Sequence, residues 1–454
     1  MLDSLNRHYL PLYGGKQVRT PNIDRLAERG VVFENHFCCS MPCMPARRDL
    51  FTGRANFLET PWSPIQPWDI CPQPALSQQR GVYSHLITDH YHYFHAGGEC
   101  YHNQFSSWEF LRGQEGDVWR PMVDKPHTPP FIGKNRRSYW ANRHFMETEN
   151  DEDYSTPQCF MRAIDFLEHN GNSDQWHLHL ECFDPHEPFA CPEKYREEFN
   201  DTWDNEKLHF DWPNYAPVEE DNDAINHIRA CYAGTLKMTD FWLGKLLDKI
   251  DTLNLWKDTV IVLSTDHGHL LGEHGYWGKN YMFDYKDLAH IPLVICAPNS
   301  HPRRSSALTS TLDLMPTFMD LHQAKMSHQV HGKSLRHLIE TEDSHHDALL
   351  YGYFGKDVNF TDGHYTYCRQ PQKNSKVHHH TAMPVNFSGF DAHEDLTNAE
   401  MGSFLKSANG IPHYRFSVSS KNHYNAPDFN PIYNIDFDPD QIHPLRDGKL
   451  EAIL

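Results

Sequence analysis

Apolar segments of two kinds alternate over the first three quarters of the chain. Residues 224–250 carry apolar side chains every three or four positions, which predicts a long amphipathic helix. Residues 259–264 are almost continuously apolar, which is typical of a strand covered on both faces of a parallel sheet. The same reasoning predicts further helices over 20–29, 156–170 and 311–321, and further strands over 31–33, 82–88, 176–183 and 291–296. Helices that alternate with buried strands predict an α/β body, built on a mixed, mainly parallel sheet that helices flank.

The pattern changes after about residue 345. Short strands rich in Tyr, His and Asn are predicted there, over 349–354, 364–369 and 414–418. We therefore expect a main domain over 1–345 and a smaller α+β subdomain with a small antiparallel sheet over 346–454. Segments without clear periodicity are predicted to be loops: 55–80, 95–155, 190–223 and 370–412, the last of which contains the run His378-His379-His380.

Composition limits the classes of function. The chain of 454 residues has a net charge of −20 at pH 7, which disfavours nucleic acid as a partner. It has no apolar run of the roughly 18 residues that a membrane-spanning helix needs, so we expect no membrane span. Its 11 cysteines lack the regular spacing of a disulfide scaffold. With 34 histidines, a single histidine is weak evidence for chemistry.

The first residues resemble the end of a buried strand that enters a loop. A strand needs about five residues, and only Met1 and Leu2 precede Asp3. We therefore expect the natural chain to start upstream. The residues as given have no signal peptide and taken alone indicate the cytoplasm. A signal peptide could have been lost with the upstream segment, so the localisation stays open.

The stretch 35–54 is the centre of the functional prediction. Pro45 suits the first turn of a helix, because the missing N–H costs nothing there, and Gly53 can end that helix. Cys43 would then lie at the helix N-terminus, where free N–H groups and the helix dipole should acidify its thiol. The alternative is an ordinary buried cysteine beside a proline turn.

Titratable residues follow two of the predicted strands. Asp3 follows the first, and Asp266 and His267 follow the strand over 259–264. Together with Cys43 they form a plausible mononuclear metal site. Carboxylate and imidazole donors favour manganese or zinc over calcium, which prefers an all-oxygen shell. The alternative for the Asp266-His267 pair is a turn with a capping carboxylate.

Cationic side chains could surround a tetrahedral anion at this site. Arg47 lies one helical turn after Cys43 and so shares its helix face. Further donors are His90, His92, His186 and Lys279. Any one of these histidines alone is more often structural. As a set they indicate a metal and cations around an anion, with a nucleophile at a helix N-terminus.

These motifs resemble those of the type I, formylglycine-dependent sulfatases of the alkaline phosphatase superfamily. The matching stretches occur in family order across nearly the whole chain. They are Thr20-Pro-Asn-Ile-Asp-Arg-Leu26, Cys43-x-Pro-x-Arg47 with Leu50-Phe-Thr-Gly-Arg54, Asp184-Pro-His186-x-Pro-Phe189, Asp266-His267-Gly268-x-x-x-Gly272-Glu-His-Gly275-x-Trp-Gly-Lys279, Leu312-Asp-Leu-Met-Pro-Thr317 and Ile432-Tyr-Asn-Ile-Asp-Phe-Asp-Pro-Asp440.

The resemblance implies an alkaline phosphatase-like fold, with a sulfatase catalytic domain over 1–345. It also implies a sulfuric ester hydrolase, in which a formylglycine-generating enzyme oxidises Cys43 and the hydrated aldehyde attacks sulfur. Its expected catalytic residues are Cys43, Arg47, His92, His186 and Lys279. Its expected metal ligands are Asp3, Cys43, Asp266 and His267, and its expected substrate contacts are His90, His186 and Lys279. Arg47 would orient the nucleophile and His186 would protonate the leaving oxygen.

Departures from the usual family pattern change two expectations. His90-Tyr91-His92 replaces Lys-Trp-His, Asp3-Ser4 replaces Asp-Asp, Asp266-His267 replaces Asp-Asn, and Ala46 replaces Ser. The metal shell loses a carboxylate and gains an imidazole, which shifts the expected metal from calcium towards manganese or a similar ion. With the family resemblance included, manganese or calcium is expected ahead of zinc. These features also resemble phosphonate monoester hydrolases, which stay the alternative to a sulfatase of a small-molecule or glycan sulfate ester, with a carbohydrate favoured. A binding protein that has kept the fold without activity is a third hypothesis, against which the complete residue set argues.

Overall fold

The computed structural model describes residues 1–298 and 300–454. The α-helices are α1 Pro21–Ala27, α2 Cys43–Thr52, α3 Pro72–Arg80, α4 Arg137–His144, α5 Ser155–Asn170, α6 Asn222–Thr252, α7 Lys286–Ala289, α8 Leu314–Leu321, α9 Arg336–Glu340, α10 His393–Asn398 and α11 Gly448–Glu451. The strands are β1 Val31–Phe37, β2 Ser40–Met41, β3 Tyr83–Thr88, β4 Ser107–Phe110, β5 Trp176–Glu181, β6 Ile261–Ser264, β7 Leu270–Leu271, β8 Trp277–Gly278, β9 Leu293–Cys296, β10 Arg303–Ser310, β11 Leu349–Tyr353, β12 Val358–Thr361, β13 Tyr365–Arg369, β14 Lys376–Thr381, β15 Val385–Asn386, β16 Gly389–Phe390, β17 Glu400–Gly402, β18 His413–Ser419 and β19 Ile432–Asn434.

Two sheets form the main body. One has the order β10-β1-β9-β6 and the other the order β4-β3-β5. Strand β1 is parallel to β10, and β3 is parallel to both β4 and β5, whereas β9 runs antiparallel to β1 and β6. The predicted mixed α/β fold is therefore confirmed.

The two sheets approach each other at Leu2. Leu2 forms a parallel bridge with Cys182, just after β5, and its N–H donates to the carbonyl of Ser264 at the end of β6. A cavity of about 570 Å³ extends from this point between β5 and β6, and its lining includes residues from both strands. Asp3 is thereby placed at the same end of the sheets as Asp266. The prediction that the natural chain begins upstream stays a prediction.

Helix α6 is the longest element, with 31 residues. The side chain of Asp221 accepts a hydrogen bond from the N–H of Ala224, which satisfies a free donor of the first turn. Its apolar face is buried in the largest core cluster, where α6 packs against α1 and α5. Within the described ranges 1–298 and 300–454, no helix combines the length and the apolar character needed to cross a membrane.

The C-terminal part forms a five-stranded sheet of order β19-β13-β12-β11-β2. Its edge strand β2 comes from the segment just before Cys43 and pairs in parallel with β11, Ser40 opposite Gly352 and Met41 opposite Tyr353. The C-terminal sheet therefore supports the start of α2 directly. The division of the chain at residue 345 stays a prediction.

Three of the predicted loops contain regular structure, and in 95–155 these elements are β4 and α4. Helix α3 lies within 55–80, because Pro72 starts the helix and Gly81 ends it in the left-handed conformation. The histidine run 378–380 lies in strand β14, which pairs antiparallel with β18 along its whole length. The ring of His379 packs on Phe416 of the partner strand. The prediction of a loop was wrong there because the pairing partner lies far along the chain.

Candidate active site

Helix α2 places Cys43 at its first position. The helix spans Cys43–Thr52 and ends at Gly53, whose φ of 65° is left-handed, so the predicted start and stop are confirmed. Asp49 fixes the approach to the helix, because its carboxylate accepts hydrogen bonds from the N–H and the hydroxyl of Ser40. It also accepts the N–H of Asn56 at 3.2 Å. These hydrogen bonds therefore hold the segment that leads into the helix in a fixed position.

The thiol of Cys43 is not acidified. Burial raises the pKa of Cys43 above its usual range, and the cation of Lys279 offsets this effect only in part. The expectation of a reactive thiolate was therefore wrong. Removing the thiolate from water costs more than the helix dipole and one neighbouring cation return. A neutral buried thiol fits a precursor of the nucleophile better than the nucleophile itself.

Four potential metal ligands meet at Cys43. One donor atom from each of Asp3, Cys43, Asp266 and His267 lies within 4.8 Å of every other, and all four side chains are buried. Nδ1–H of His267 donates a hydrogen bond to the carbonyl of Gly268 at 2.8 Å, which leaves Nε2 directed at the cluster. Burial lowers the pKa of His267 to about 4, so the imidazole is neutral, the form that binds metals. This donor set fits one divalent cation.

Arg47 contacts carboxylates with each arm of its guanidinium. Nη2 lies 2.7 Å from the carboxylate of Asp3, Nη1 lies 2.7 Å from that of Asp266, and Nε lies 2.7 Å from that of Glu181. Arg47 was expected to orient the nucleophile. The structure shows it holding two metal-ligand candidates in place, with Glu181 as a third partner that sequence reasoning missed. Burial raises the pKa of Glu181, but the positive charge of Arg47 outweighs this effect and lowers the pKa to about 2.

Lys279 supplies the cation closest to the thiol. Its ammonium lies 3.4 Å from Sγ of Cys43, 3.1 Å from the hydroxyl of Ser4 and 3.2 Å from Nε2 of His267. The preceding Gly278 has a φ of 82°, and a Cβ there would lie 2.2 Å from the ring of Tyr215. Only glycine fits this close approach, which brings Lys279 into the site.

Three of the predicted histidines line one side of the site. The rings of His90 and His186 pack on Phe183, with centroids 4.9 and 4.3 Å away. Nε2 of His92 lies 3.2 Å from the carboxylate of Glu115. All three histidines are buried. The structure therefore brings together every predicted site residue, and their roles stay predictions.

A buried carboxylate that sequence reasoning missed lies behind His186. Glu187 is 0% exposed; its Oε2 lies 3.4 Å from Nδ1 of His186 and 3.5 Å from Nδ1 of His269. Its Oε1 lies 3.9 Å from the ammonium of Lys134. Surrounding cations keep the pKa of Glu187 well below its usual range even though burial raises it. The one available signal was the acidic residue inside the Asp-Pro-His-x-Pro stretch.

Comparison with known proteins agrees with this geometry. The sequence profile of the sulfatase family matches residues 1–324. The chain belongs to the sulfatase family. A second profile, described as the C-terminal part of N-sulphoglucosamine sulphohydrolase, matches residues 272–409. The prediction of a sulfuric ester hydrolase is thereby confirmed at the level of the family.

Curated relatives share about a quarter of their residues with the chain. The uncharacterized sulfatase YidJ of Escherichia coli K12 is 27% identical over 71% of this chain and 66% of its own length. An arylsulfatase of Clostridium perfringens is 24% identical over 79% of this chain and 82% of its own. An N-acetylglucosamine-6-O-sulfatase of Bacteroides thetaiotaomicron is 23% identical over 88% of this chain and 79% of its own.

Solved structures with the same fold include both chemistries considered from the sequence. A protein in complex with its substrate D-glucosamine-2-N,6-O-disulfate matches with a TM-score of 0.68 and 18% identity, over 100% of this chain and 93% of that one. A phosphonate monoester hydrolase of Agrobacterium radiobacter matches with a TM-score of 0.66 and 18% identity, over 100% and 92%. The alkaline phosphatase-like fold is therefore confirmed.

Proposed function

We propose that the chain hydrolyses a sulfate ester, with a nucleophile made from Cys43 and with one divalent metal ion. The observation that carries the proposal is the position of Cys43 at a helix N-terminus. Its sulfur lies 3.4 Å from both Lys279 and His267, inside the four-residue ligand cluster. A neutral, buried thiol in such a place has no evident use unless it is modified. Membership of the sulfatase family supports oxidation of Cys43 to formylglycine by a formylglycine-generating enzyme.

The ligand cluster supports a definite set of side chains as the metal ligands. Asp3, Asp266 and His267 would hold the ion, together with the group derived from Cys43. Once bound, the ion would lower the pKa of the nucleophile and neutralise charge on the sulfuryl oxygens. Two carboxylates and one imidazole favour manganese, and the family resemblance keeps calcium as the second choice ahead of zinc. Arg47 lies 2.7 Å from each of the two carboxylates and holds them in position.

The chain's own residues can carry the proton transfers. One hydroxyl of the hydrated formylglycine loses its proton to solvent and forms a bond to sulfur while the ester S–O bond breaks, and His186 donates a proton to the leaving alcohol oxygen. His92 then accepts the proton of the second hydroxyl. The bond between that carbon and the sulfate oxygen breaks, which regenerates the aldehyde and releases sulfate. Glu115, 3.2 Å from His92, would stabilise the imidazolium that forms.

Lys279 would stabilise negative charge as it develops on the sulfuryl oxygens. Its ammonium already faces the position of the nucleophile. His90 would add a neutral donor, because burial lowers its pKa well below the usual range. Both residues are held in position: the ammonium of Lys279 donates a hydrogen bond to the hydroxyl of Ser4, and the ring of His90 stacks on Phe183.

A sulfated carbohydrate is the favoured substrate class. One relative is named N-acetylglucosamine-6-O-sulfatase, and the C-terminal profile is that of N-sulphoglucosamine sulphohydrolase. Trp62 lies beside His92, with ring centroids 5.0 Å apart, and offers an aromatic face next to the site. Aromatic faces of this kind suit the apolar side of a sugar ring.

Phosphonate monoester hydrolysis is the second candidate. Its specific support is the imidazole of His267, which replaces the usual amide, together with Ser4 in place of a second carboxylate. A phosphonate monoester hydrolase shares the fold. Both chemistries would use the same nucleophile and the same metal.

Turnover of matched aryl substrates tests the proposal. Metal-loaded, matured protein should release the aryl alcohol from an aryl sulfate faster than from an aryl phosphonate. Cys43→Ala should abolish turnover of both while the fold persists. Cys39→Ala, which removes a buried thiol four residues earlier, should retain activity. Faster cleavage of the phosphonate would favour the second candidate, and turnover by Cys43→Ala would refute the proposed nucleophile.

A further inference from the structure

Three clusters of acidic residues with His or Cys lie outside the active site in the described part of the chain. In the first, the guanidinium of Arg196 lies 3.5 Å from Asp201 and 3.8 Å from Sγ of Cys231, so a cation is already present. In the second, the imidazole of His423 lies directly against Asp357, which leaves no room for an ion between them. In the third cluster, no Lys or Arg side chain of the described residues forms an ion pair with the carboxylate, and one buried imidazole nitrogen has no hydrogen-bond partner.

The third cluster consists of Asp313, His345 and His346. Nε2 of His346 lies 2.9 Å from Oδ1 and 3.2 Å from Oδ2 of Asp313. Nε2 of His345 lies 3.3 Å from Oδ2. Ligand atoms bound to one tetrahedral ion at about 2.0–2.2 Å are separated by somewhat more than 3 Å. The 2.9 Å contact of His346 is a hydrogen bond, and the three ligand atoms lie close enough together for one ion to replace it.

The ring of His345 is not explained by hydrogen bonding. Its side chain is 1% exposed, and although Nε2 is close to Asp313, the two are not aligned as donor and acceptor. Asp313 and His346 each offer a ligand atom within 4.8 Å of this nitrogen. An unpaired buried imidazole nitrogen is costly unless a partner satisfies it.

His36 adds a further imidazole close to the cluster. It is fully buried on β1, its Nδ1 lies 3.0 Å from the hydroxyl of Thr309, and its Nε2 has no hydrogen-bond partner among the described residues. Burial lowers the pKa of His36 to about 3, although the Asp313 carboxylate opposes this effect in part, so its ring is neutral. A neutral imidazole is the form that ligates a metal.

The carboxylate is also oriented as a metal ligand usually is. Oδ2 of Asp313 accepts the N–H of Ser310 at 2.7 Å, and Oδ1 accepts the N–H of Lys333 at 2.8 Å. Both bonds come from the main chain and leave the remaining lone pairs directed at the histidines. Such outer contacts fix a ligand before the ion binds.

We propose that Asp313, His345 and His346 bind a zinc ion with a structural role. Two imidazoles and one carboxylate are donors that zinc accepts, and a closed, buried position is typical of a structural site. His345 and His346 lie between α9 and β11, and Asp313 follows β10. The ion would therefore fasten the segment that leads into the C-terminal sheet to the end of β10.

Zinc content measures this site directly. Protein stripped with a chelator is loaded with Zn²⁺ alone, passed over a desalting column and analysed by elemental mass spectrometry. His346→Ala should bind one equivalent of zinc fewer than the unchanged protein. The matched control is His337→Ala: this exposed histidine lies beside His345, its Nδ1 is bonded to the carbonyl of Ser334, and it should change nothing.

A second variant separates a metal ligand from a hydrogen-bond partner. His346→Asn keeps a polar side chain beside Asp313 but offers a poor zinc ligand, so it should lose the same equivalent. It should also lose the zinc-dependent rise in melting temperature that this site contributes. Sulfate release should persist in both variants. Equal zinc content in the unchanged protein, His346→Ala and His346→Asn would overturn the proposal.

Discussion

Buried carboxylates beside helix α2 have pKa values shifted in opposite directions. At the Cys43 end, Asp3 and Glu181 contact the guanidinium of Arg47, and despite burial their pKa values are lowered, that of Glu181 to about 2. Two residues after Arg47, Asp49 is equally buried but is held by the neutral donors of Ser40 and Asn56, and burial raises its pKa to about 7. Burial is the same, so the presence of a full positive charge decides.

This difference separates chemistry from support. Three carboxylates, Asp3, Asp266 and Glu181, face two cations, Arg47 and Lys279, so the Cys43 end keeps an excess of negative charge that a divalent ion can neutralise. The Asp49 carboxylate needs no ion, because Ser40 and Asn56 donate hydrogen bonds to both of its oxygens. Metal binding is therefore expected beside Cys43 and not beside Asp49.

Metal removal should have the largest effect. Dialysis against a strong chelator should abolish sulfate release, because Asp3, Asp266 and His267 then lack the ion that would neutralise the substrate. Addition of Mn²⁺ or Ca²⁺ should restore turnover, which is measured as aryl alcohol released per minute. Full activity in protein shown by elemental analysis to be metal-free would mean that the charge excess has another purpose.

Loss of His186 should come next. His186→Ala should lower kcat by about 10²–10⁴-fold, the usual range for removal of a general acid. The loss should be greatest for esters of poorly acidic alcohols, because these need protonation of the leaving oxygen. Comparing nitrophenyl sulfate with an alkyl or sugar sulfate measures this. A uniform loss across leaving groups would assign His186 to binding instead.

Glu181→Gln should have an intermediate effect. The variant removes one of the three negative charges that contact Arg47 while preserving the shape of the side chain. Arg47 should therefore hold Asp3 and Asp266 less rigidly. Metal affinity or activity should fall by about 10–100-fold, as is typical for outer contacts of a metal site. A metal titration that follows activity measures both. Unchanged affinity and activity would show that two carboxylates are enough to position Arg47.

The smallest effect is expected at Asp49 and concerns stability. The unfolded carboxyl ionises near pH 4, whereas the folded one keeps its proton up to about pH 7. The folded state therefore binds more protons in this window, and the contribution of Asp49 to stability falls as the pH rises. In Asp49→Asn this part of the slope should disappear, as denaturant unfolding between pH 4 and 7 would show. An unchanged slope would place its origin elsewhere.

Local rules predicted the parts of the site that local sequence controls. The start of α2 at Cys43 and its end at Gly53 follow from proline and glycine positions. Asp3, Asp266 and His267 follow from their places after strands. Glu181 lies 134 residues from Arg47 and carries no local signal of that contact. Its role depends on how β5 meets α2, which only the folded chain shows.

The same limit applies to the fold. Helix α6 was predicted well because its apolar periodicity runs over many turns. Strand β14 was missed because its residues, among them the histidine run 378–380, resemble a loop until β18 pairs with them. Long-range pairing overrides weak local preference in that region.

Mass spectrometry of the peptide that contains Cys43 tests the central claim most directly. Protein produced in a host with a formylglycine-generating enzyme should show an aldehyde in place of the Cys43 thiol, and the extent of conversion should track the rate of sulfate release. Cys38 and Cys39, in the same stretch, should remain thiols. An unmodified Cys43 in fully active protein would contradict the account.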